Sequence, residues 1–473
     1  MGKGCKNRVF VDIMATHPEV TGSSILCIVK YATGETIKFV VDCGLFQEQE
    51  YNDLNESLPF NAKELDFILV THNHVDHTGR LPFVVKSGYR NPIYTTEGTL
   101  KLIGPALGDS CGVLHDLAKR NNKKPLYEAN DVENTLELIE GLPFRKTIEV
   151  VPNVKVTFFE NGHLVGASLI LVQISSLYSE DINILFTGDY NSKNMFFSVP
   201  ELPKWVLDLP LTVIQESTYG NINSDEVKEC FKENIIEGIS LNKNILIPVF
   251  SLGRSQEIAF LLKKMQDDGF LPMSLPIYLD GPLTQKYTNI YLHYDIGIEH
   301  HMKDFLPKNF HYVKNENRYE LLSDNEPKIV LTSSGMGSYG PAQMHIPHVI
   351  SQKNGLIHFT GYMAEGTLGR RLKETKTGET VSVGGLLVRK LGEVKYTNEF
   401  SAHAKADEMI EFLSKFNHLK LVLLNHGEQK TKNVFASRIL KELNPKNIGI
   451  LNRDYFFRIN SFGLVKTMGT KFC

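Results

Sequence analysis

Within residues 71–80, Thr-His-Asn-His-Val-Asp-His-Thr-Gly-Arg, four side chains able to bind a divalent cation fall within six positions: His72, His74, Asp76 and His77. The run directly follows an apolar stretch, 67–70, that reads as a buried strand. Neutral imidazole and carboxylate suit zinc and similar ions, and alternate residues on such a loop can point to one centre while the next pair points to a neighbour. One loop cannot fill two coordination spheres, so the fold must bring further ligands to it. A layered α/β architecture does this, because loops at the carboxyl ends of strands converge while the sheet stays rigid.

Three other residues are placed to complete such sites. His163 lies in the glycine-flanked turn Asn161-Gly162-His163-Leu164-Val165-Gly166-Ala167-Ser168, Asp189 ends the apolar run in Phe186-Thr187-Gly188-Asp189, and His426 follows another apolar run in Asn425-His426-Gly427. Each alone reads equally well as a turn or cap residue. With the first loop they make up two sites.

The six cysteines are scattered without a C-x-x-C pair, which suits a reducing compartment and leaves His and carboxylates as the metal ligands. No apolar stretch after the basic start (Lys3, Lys6, Arg8) is long enough for a signal peptide, and Gly2 is followed by Lys6 where a myristoylation signal needs Ser or Thr. Apolar runs are too short to span a bilayer, so a cytoplasmic protein with no membrane partner is expected. At 473 residues two domains are expected. Fifty-one basic against 54 acidic residues announce no polyanion partner, so any surface for nucleic acid must be local.

From about Leu209 the pattern becomes strand then helix, repeated: 245–250 then 255–266, 276–279 then 283–293, and 328–332 before a glycine turn. The histidine-bearing loops bracket this segment. One domain interrupted by another is therefore expected.

The sequence resembles the metallo-β-lactamase superfamily, with its H-x-H-x-D-H signature, and within it the nucleic-acid-processing β-CASP branch. The likeness runs over nearly the whole chain. It includes Asp42-Cys43-Gly44, Asn161-Gly162-His163, Thr187-Gly188-Asp189, Glu216-Ser217-Thr218-Tyr219-Gly220, and Pro248-Val249-Phe250-Ser251-Leu252-Gly253-Arg254-Ser255-Gln256-Glu257. It continues through Ser334-Gly335-Met336, Gly361-Tyr362, Gly366-Thr367-Leu368-Gly369-Arg370, Phe400-Ser401-Ala402-His403 and Asn425-His426-Gly427. The resemblance implies a metallo-β-lactamase αββα sandwich with an inserted β-CASP α/β domain: residues 1–208 and 397–473 for the first, 209–396 for the second. A compact catalytic core of the bacterial or archaeal kind is expected, and dimers are common in the family.

Carried over by motif, the resemblance implies that His72, His74 and His163 hold one metal, that Asp76, His77 and His426 hold the second, and that Asp189 bridges them. Asp42 then orients the loop ligands. Two zinc ions per chain are expected because the ligands are mainly imidazole, with manganese as the alternative. Cations about 3.5 to 4 Å apart can share a hydroxide and stabilise charge on a phosphodiester, so the bridging hydroxide is the expected nucleophile. His403 is the expected general acid for the leaving ribose oxygen, held protonated by Glu216; with Asp76 these form the expected catalytic set. The turn at Ser334 and Gly335, with Arg254, is the candidate contact to substrate phosphate.

The expected reaction is endonucleolytic hydrolysis of single-stranded RNA, since histidine at the position of His426 is typical of RNA-processing members. The rivals are a DNA nuclease of the same branch, a hydrolase of small thioesters or lactams, and a non-catalytic scaffold subunit. The Glu216, Arg254 and His403 marks speak against the small-molecule enzymes, and the full set of ligands speaks against the scaffold.

Overall fold

A computed structural model describes residues 9–175, 180–227, 229–361, 363 and 366–469. The start of the chain through Arg8, Tyr362 and Cys473 lie outside the described residues. The chain divides into two compact units, one of residues 1–224 with 402–473 and one of residues 225–401.

The first unit is built on two sheets. The eight-stranded sheet runs in the order Gly463–Gly469, Tyr455–Asn460, Phe10–Ala15, Ile25–Lys30, Thr36–Val41, Phe67–Leu69, Ile93–Thr96, Ile139–Leu142. The seven-stranded sheet runs Ile448–Ile450, His418–Asn425, Pro210–Glu216, Ile182–Phe186, Ser168–Ile174, Val154–Glu160, Ile148–Val151. Strand side chains alternate between faces, and here both faces are apolar because both are covered. Leu421 and Leu423 join Ile184, Phe186, Phe39 and Phe67 in the core shared by the two sheets. Val422 and Leu424 point the other way, into a cluster with Met409 and Leu413 of helix Ala406–Ser414 and Phe435 and Ile439 of helix Gln429–Glu442.

Helix Glu97–Arg120 covers the outer face of the first sheet. Thr96 caps its first turn, and Ile103, Leu107 and Cys111, four residues apart, bury against Ile68 and Val70. The unit is thus a helix–sheet–sheet–helix sandwich, as the resemblance implies.

The second unit holds a parallel six-stranded sheet in the order Phe310–Tyr312, Ile277–Asp280, Ile329–Thr332, Asn244–Pro248, Gly355–Phe359, Glu393–Tyr396. Helices Arg254–Asp267 and Pro282–His293 follow their strands closely where the sequence pattern puts them. The expected border at 208/209 differs from the structural one. Pro210–Glu216 pairs in parallel with both Ile182–Phe186 and His418–Asn425, so this strand belongs to the first unit's sheet. Its sequence, apolar and buried like the strands that follow, carries no mark of which sheet it joins.

At the carboxyl end of strand Ile277–Asp280 in the second unit sits a buried charge cluster. Arg318 donates from Nε and Nη2 to the two oxygens of Asp280 at 2.6 and 2.8 Å, and His345 Nε2 lies 2.8 Å from Asp280 Oδ2. Burial opposes charge on Asp280, but these bonds outweigh it and hold the carboxyl below its ordinary range. Asp280→Ala leaves Arg318 without its partner, and a loss of about 3 kcal/mol is expected in urea unfolding at neutral pH. A lowered folded pKa means that this stability is present above the unfolded value of about 3.9 and is lost as pH falls below it. The gap between the native chain and the variant should therefore close in acid.

The cysteines at 27, 43, 111 and 230 are free. Among the described residues no helix is long and apolar enough to cross a membrane.

Candidate metal centre

Five parallel strand ends supply most of the site. Thr36–Val41 and Phe67–Leu69 run side by side and release Asp42 and the 71–80 loop. Ile182–Phe186, Pro210–Glu216 and His418–Asn425 run side by side and release Asp189, Glu216 and His426. Parallel strands deliver their carboxyl ends to one edge of a layer, so residues far apart in sequence are gathered without strain.

The loop is locked from several sides. Asp42, at φ 61°, accepts from Thr71 N–H and Thr71 Oγ1, both at 2.8 Å, and lies 2.8 Å from His77 Nδ1. Gly44 passes so close to Asp76 that a Cβ there would stand 1.5 Å from the Asp76 carbonyl oxygen. His163 is held by Asn161, whose Oδ1 accepts from His163 N–H, and by a 2.9 Å contact from Nδ1 to the Ala402 carbonyl. A carbonyl can only accept, so Nδ1 carries the hydrogen and Nε2 presents its lone pair.

Two groups of donors result: His72, His74, His163 and Asp189, and Asp76, His77 and His426. In the first, His74 Nδ1 lies 3.2 Å from His72 Nε2 and 3.0 Å from His163 Nε2. Asp189 Oδ2 lies 3.6 Å from each of these Nε2 atoms. In the second, His77 Nε2 and His426 Nε2 are 3.2 Å apart, and Asp76 Oδ2 is 3.6 Å from His426 Nε2. The other carboxylate oxygen, Asp189 Oδ1, lies 3.2 Å from His77 Nε2 and 3.3 Å from His426 Nδ1, with no hydrogen bond of good geometry among the described residues. One buried carboxylate therefore turns one oxygen to each group.

These separations fit a cation. Four ligands about 2.0 to 2.2 Å from a tetrahedral centre stand about 3.3 to 3.6 Å from one another, close to the distances found. Burial pushes His72 and His163 well below the usual imidazole range and His74 to about 4, so their lone pairs are free. Burial opposes ionisation of Asp76 and Asp189, but the surrounding imidazoles outweigh it, holding Asp76 at about 2 and Asp189 well below the carboxylate range. His77 is the exception: despite burial, Asp189 and Asp42 raise it well above the usual value. A cation bound at the second group would take the place of that proton.

Beside the donors, His403 Nδ1 lies 3.0 and 3.2 Å from the two Glu216 oxygens, and its Nε2 lies 3.8 Å from Asp189 Oδ2. Glu216 is buried and also accepts from the N–H groups of Tyr190 and Thr218. Burial works against charge on His403, but Glu216 and then Asp189 raise it to about 9.

Three family models match successive parts of the chain: a metallo-beta-lactamase superfamily domain over residues 32–197, a Beta-Casp domain over 255–372, and a Zn-dependent metallo-hydrolase RNA specificity domain over 388–450. The chain belongs to the β-CASP branch of the metallo-β-lactamase superfamily. Among the relatives of this β-CASP chain is the transcription termination factor FttA of Methanococcus maripaludis, 28% identical over 88% of this chain and 67% of that protein. Ribonuclease TTHA0252 of Thermus thermophilus is 29% identical over 87% of this chain and 91% of its own. An RNase J-like protein of Methanocaldococcus jannaschii is 28% identical over 86% and 90% respectively.

The β-CASP fold thus gathers all seven predicted ligands, Asp42, Glu216 and His403 in the first unit. Ser334, Gly335 and Arg254 lie in the second unit, after strands Ile329–Thr332 and Asn244–Pro248. The loop from Glu19 to Ser24 supplies none of the donors. In the structure Ser23 N–H donates to the Asp76 carbonyl, and the Glu19 carbonyl accepts from Gly427 N–H, so this loop braces the backbone of both ends of the second donor group. Backbone bonds of this kind leave no side-chain signature.

Proposed function

We propose that this chain is a metal-dependent ribonuclease that hydrolyses single-stranded RNA endonucleolytically, with His72, His74, His163 and Asp189 holding one zinc ion and Asp76, His77, His426 and Asp189 the other. The observation that carries the reading is the single buried carboxylate, Asp189, facing both donor groups with the His403–Glu216 pair alongside. The branch's RNA specificity domain spans both His403 and His426, and relatives that align over most of their length are a ribonuclease and an RNase J-like protein. Free cysteines accord with a cytoplasmic location.

Divalent cations bound at the two groups would lower the pKa of a water and neutralise charge that builds on the phosphoryl oxygens. The chain's own groups do the rest. Asp42 accepts from His77 Nδ1 and thereby aims Nε2 at the second group. Glu216 fixes the His403 ring through Nδ1 and stabilises its charged form, leaving Nε2–H beside Asp189 to protonate the leaving ribose oxygen. Arg254 and the turn at Ser334 and Gly335 contribute donors for a substrate phosphate.

The test is cleavage of end-labelled single-stranded RNA and DNA by purified protein, with metal content measured in parallel. Close to two ions per chain, loss of RNA cleavage on dialysis against a chelator and recovery with added zinc are expected. Cleavage of DNA alone, or of RNA after complete metal removal, contradicts the assignment.

A further inference from the structure

The second unit's sheet is parallel throughout its described pairings, so the loops after the adjacent strands Asn244–Pro248 and Ile329–Thr332 emerge together at its carboxyl edge. Open α/β sheets bind ligands at that edge. Two large aromatic side chains stand in solvent there, Phe250 at 45% exposure and Tyr339 at 72%.

Both are fixed against the same turn. A Cβ at Gly335 would stand 3.0 Å from Phe250 Cδ2 and 3.1 Å from Cε2, so the absent side chain lets the ring lie against the backbone. Tyr339 N–H donates to Ser334 Oγ and its carbonyl accepts from Ser334 N–H, each at 3.2 Å. The backbone that presents the two rings is already ordered, which lowers the entropic cost of using them for binding.

A third group lies nearby in the chain's bonding. Ser255 N–H donates to the Phe250 carbonyl, which ties Phe250 to the first turn of helix Arg254–Asp267. The Arg254 side chain is only 10% exposed, and its Nε and Nη1 have no hydrogen-bond partner among the described residues, although Nη1 lies 3.4 Å from a Glu257 oxygen. Glu257 faces Nη1 and the guanidinium stands 5.5 Å over the Phe400 ring, which leaves Nε as the donor without an acceptor, and a buried donor of that kind is costly. Exposed aromatic faces combined with an open cationic donor are the means by which proteins hold unpaired nucleotides: the rings stack on bases and the cation meets the backbone phosphate.

We propose that Phe250 and Tyr339 are stacking surfaces for two unpaired nucleobases of the substrate strand, both beside the Ser334-Gly335 turn. This deepens the ribonuclease reading and rests on it for the identity of the strand. Stacking selects single strands over duplexes and tolerates any base, because every base has a face.

Steady-state cleavage of a single-stranded RNA by Tyr339→Ala and Phe250→Ala tests the proposal. Each variant is expected to raise KM about tenfold and leave kcat within about twofold, while Tyr339→Trp and Phe250→Tyr keep the native KM. Phe250 packs on Gly335, so the exposed Tyr339 carries the decisive arm. In a series of RNAs with an abasic ribose at successive positions, one position should raise the native KM about tenfold and make Tyr339→Ala no worse than native. An unchanged KM for Tyr339→Ala, or an equal rise on every abasic RNA, overturns the proposal. Should the native protein fail to cleave RNA with zinc supplied, the ribonuclease reading falls by itself. Anisotropy of labelled RNA then decides the stacking role: about tenfold weaker binding by Tyr339→Ala upholds it, and equal affinity overturns it.

Discussion

Asp189→Asn is expected to release metal and to lower kcat for RNA cleavage at least about a thousandfold, the scale of loss when charge stabilisation at a reacting centre is removed. The reason is specific to its position. Its Oδ2 faces His72 and His163 while its Oδ1 faces His77 and His426, so one substitution weakens both donor groups together. The amide keeps the shape but loses the charge, and one of its two atoms becomes a donor that cannot ligate. His74→Ala removes a donor from the first group alone and should also abolish cleavage, while leaving the second group's donors in place. Metal content measured beside single-turnover cleavage separates the two. Full occupancy and native turnover in the Asp189 variant would remove the bridging role.

His403→Ala is expected to behave differently: metal content stays near the native level, and the chemical step slows by about 10² to 10⁴, the usual worth of a positioned general acid. His403 belongs to neither donor group, and Glu216 holds its Nδ1. A pKa raised to about 9 keeps the ring protonated at neutral pH, so the native rate should fall as pH rises through that region. Glu216→Gln takes away the largest favourable influence on the charged ring and should shift this fall to lower pH without removing His403. Native turnover by His403→Ala, or a pH profile indifferent to Glu216→Gln, would eliminate the acid assignment.

Much of the site is readable in the chain because its ligands differ chemically from ordinary loop residues and four of them are nearly contiguous. The unbroken burial of strands such as His418–Asn425 from Leu421 onward is readable too, since both faces demand apolar side chains. His163, Asp189 and His426 are harder: each sits after a strand or in a turn, and only the shared motif order singles them out. The border at 208/209 marks the limit of such reading. Pro210–Glu216 looks like the strands after it, yet it pairs with Ile182–Phe186 and His418–Asn425, and pairing is decided by neighbours far along the chain. The brace formed by Glu19 and Ser23 escaped for another reason, since backbone donors and acceptors are the same at every residue.

By itself the sequence determined which groups have the chemistry to hold a cation or move a proton, and which runs must be buried as strands. Only the tertiary structure decided that His77 meets His426 across 349 positions, that Glu216 is buried against His403 rather than left on the surface, and that Asp189 divides its two oxygens between neighbours. Distance, burial and orientation arise from long-range packing of the two sheets, and no local stretch of residues contains them.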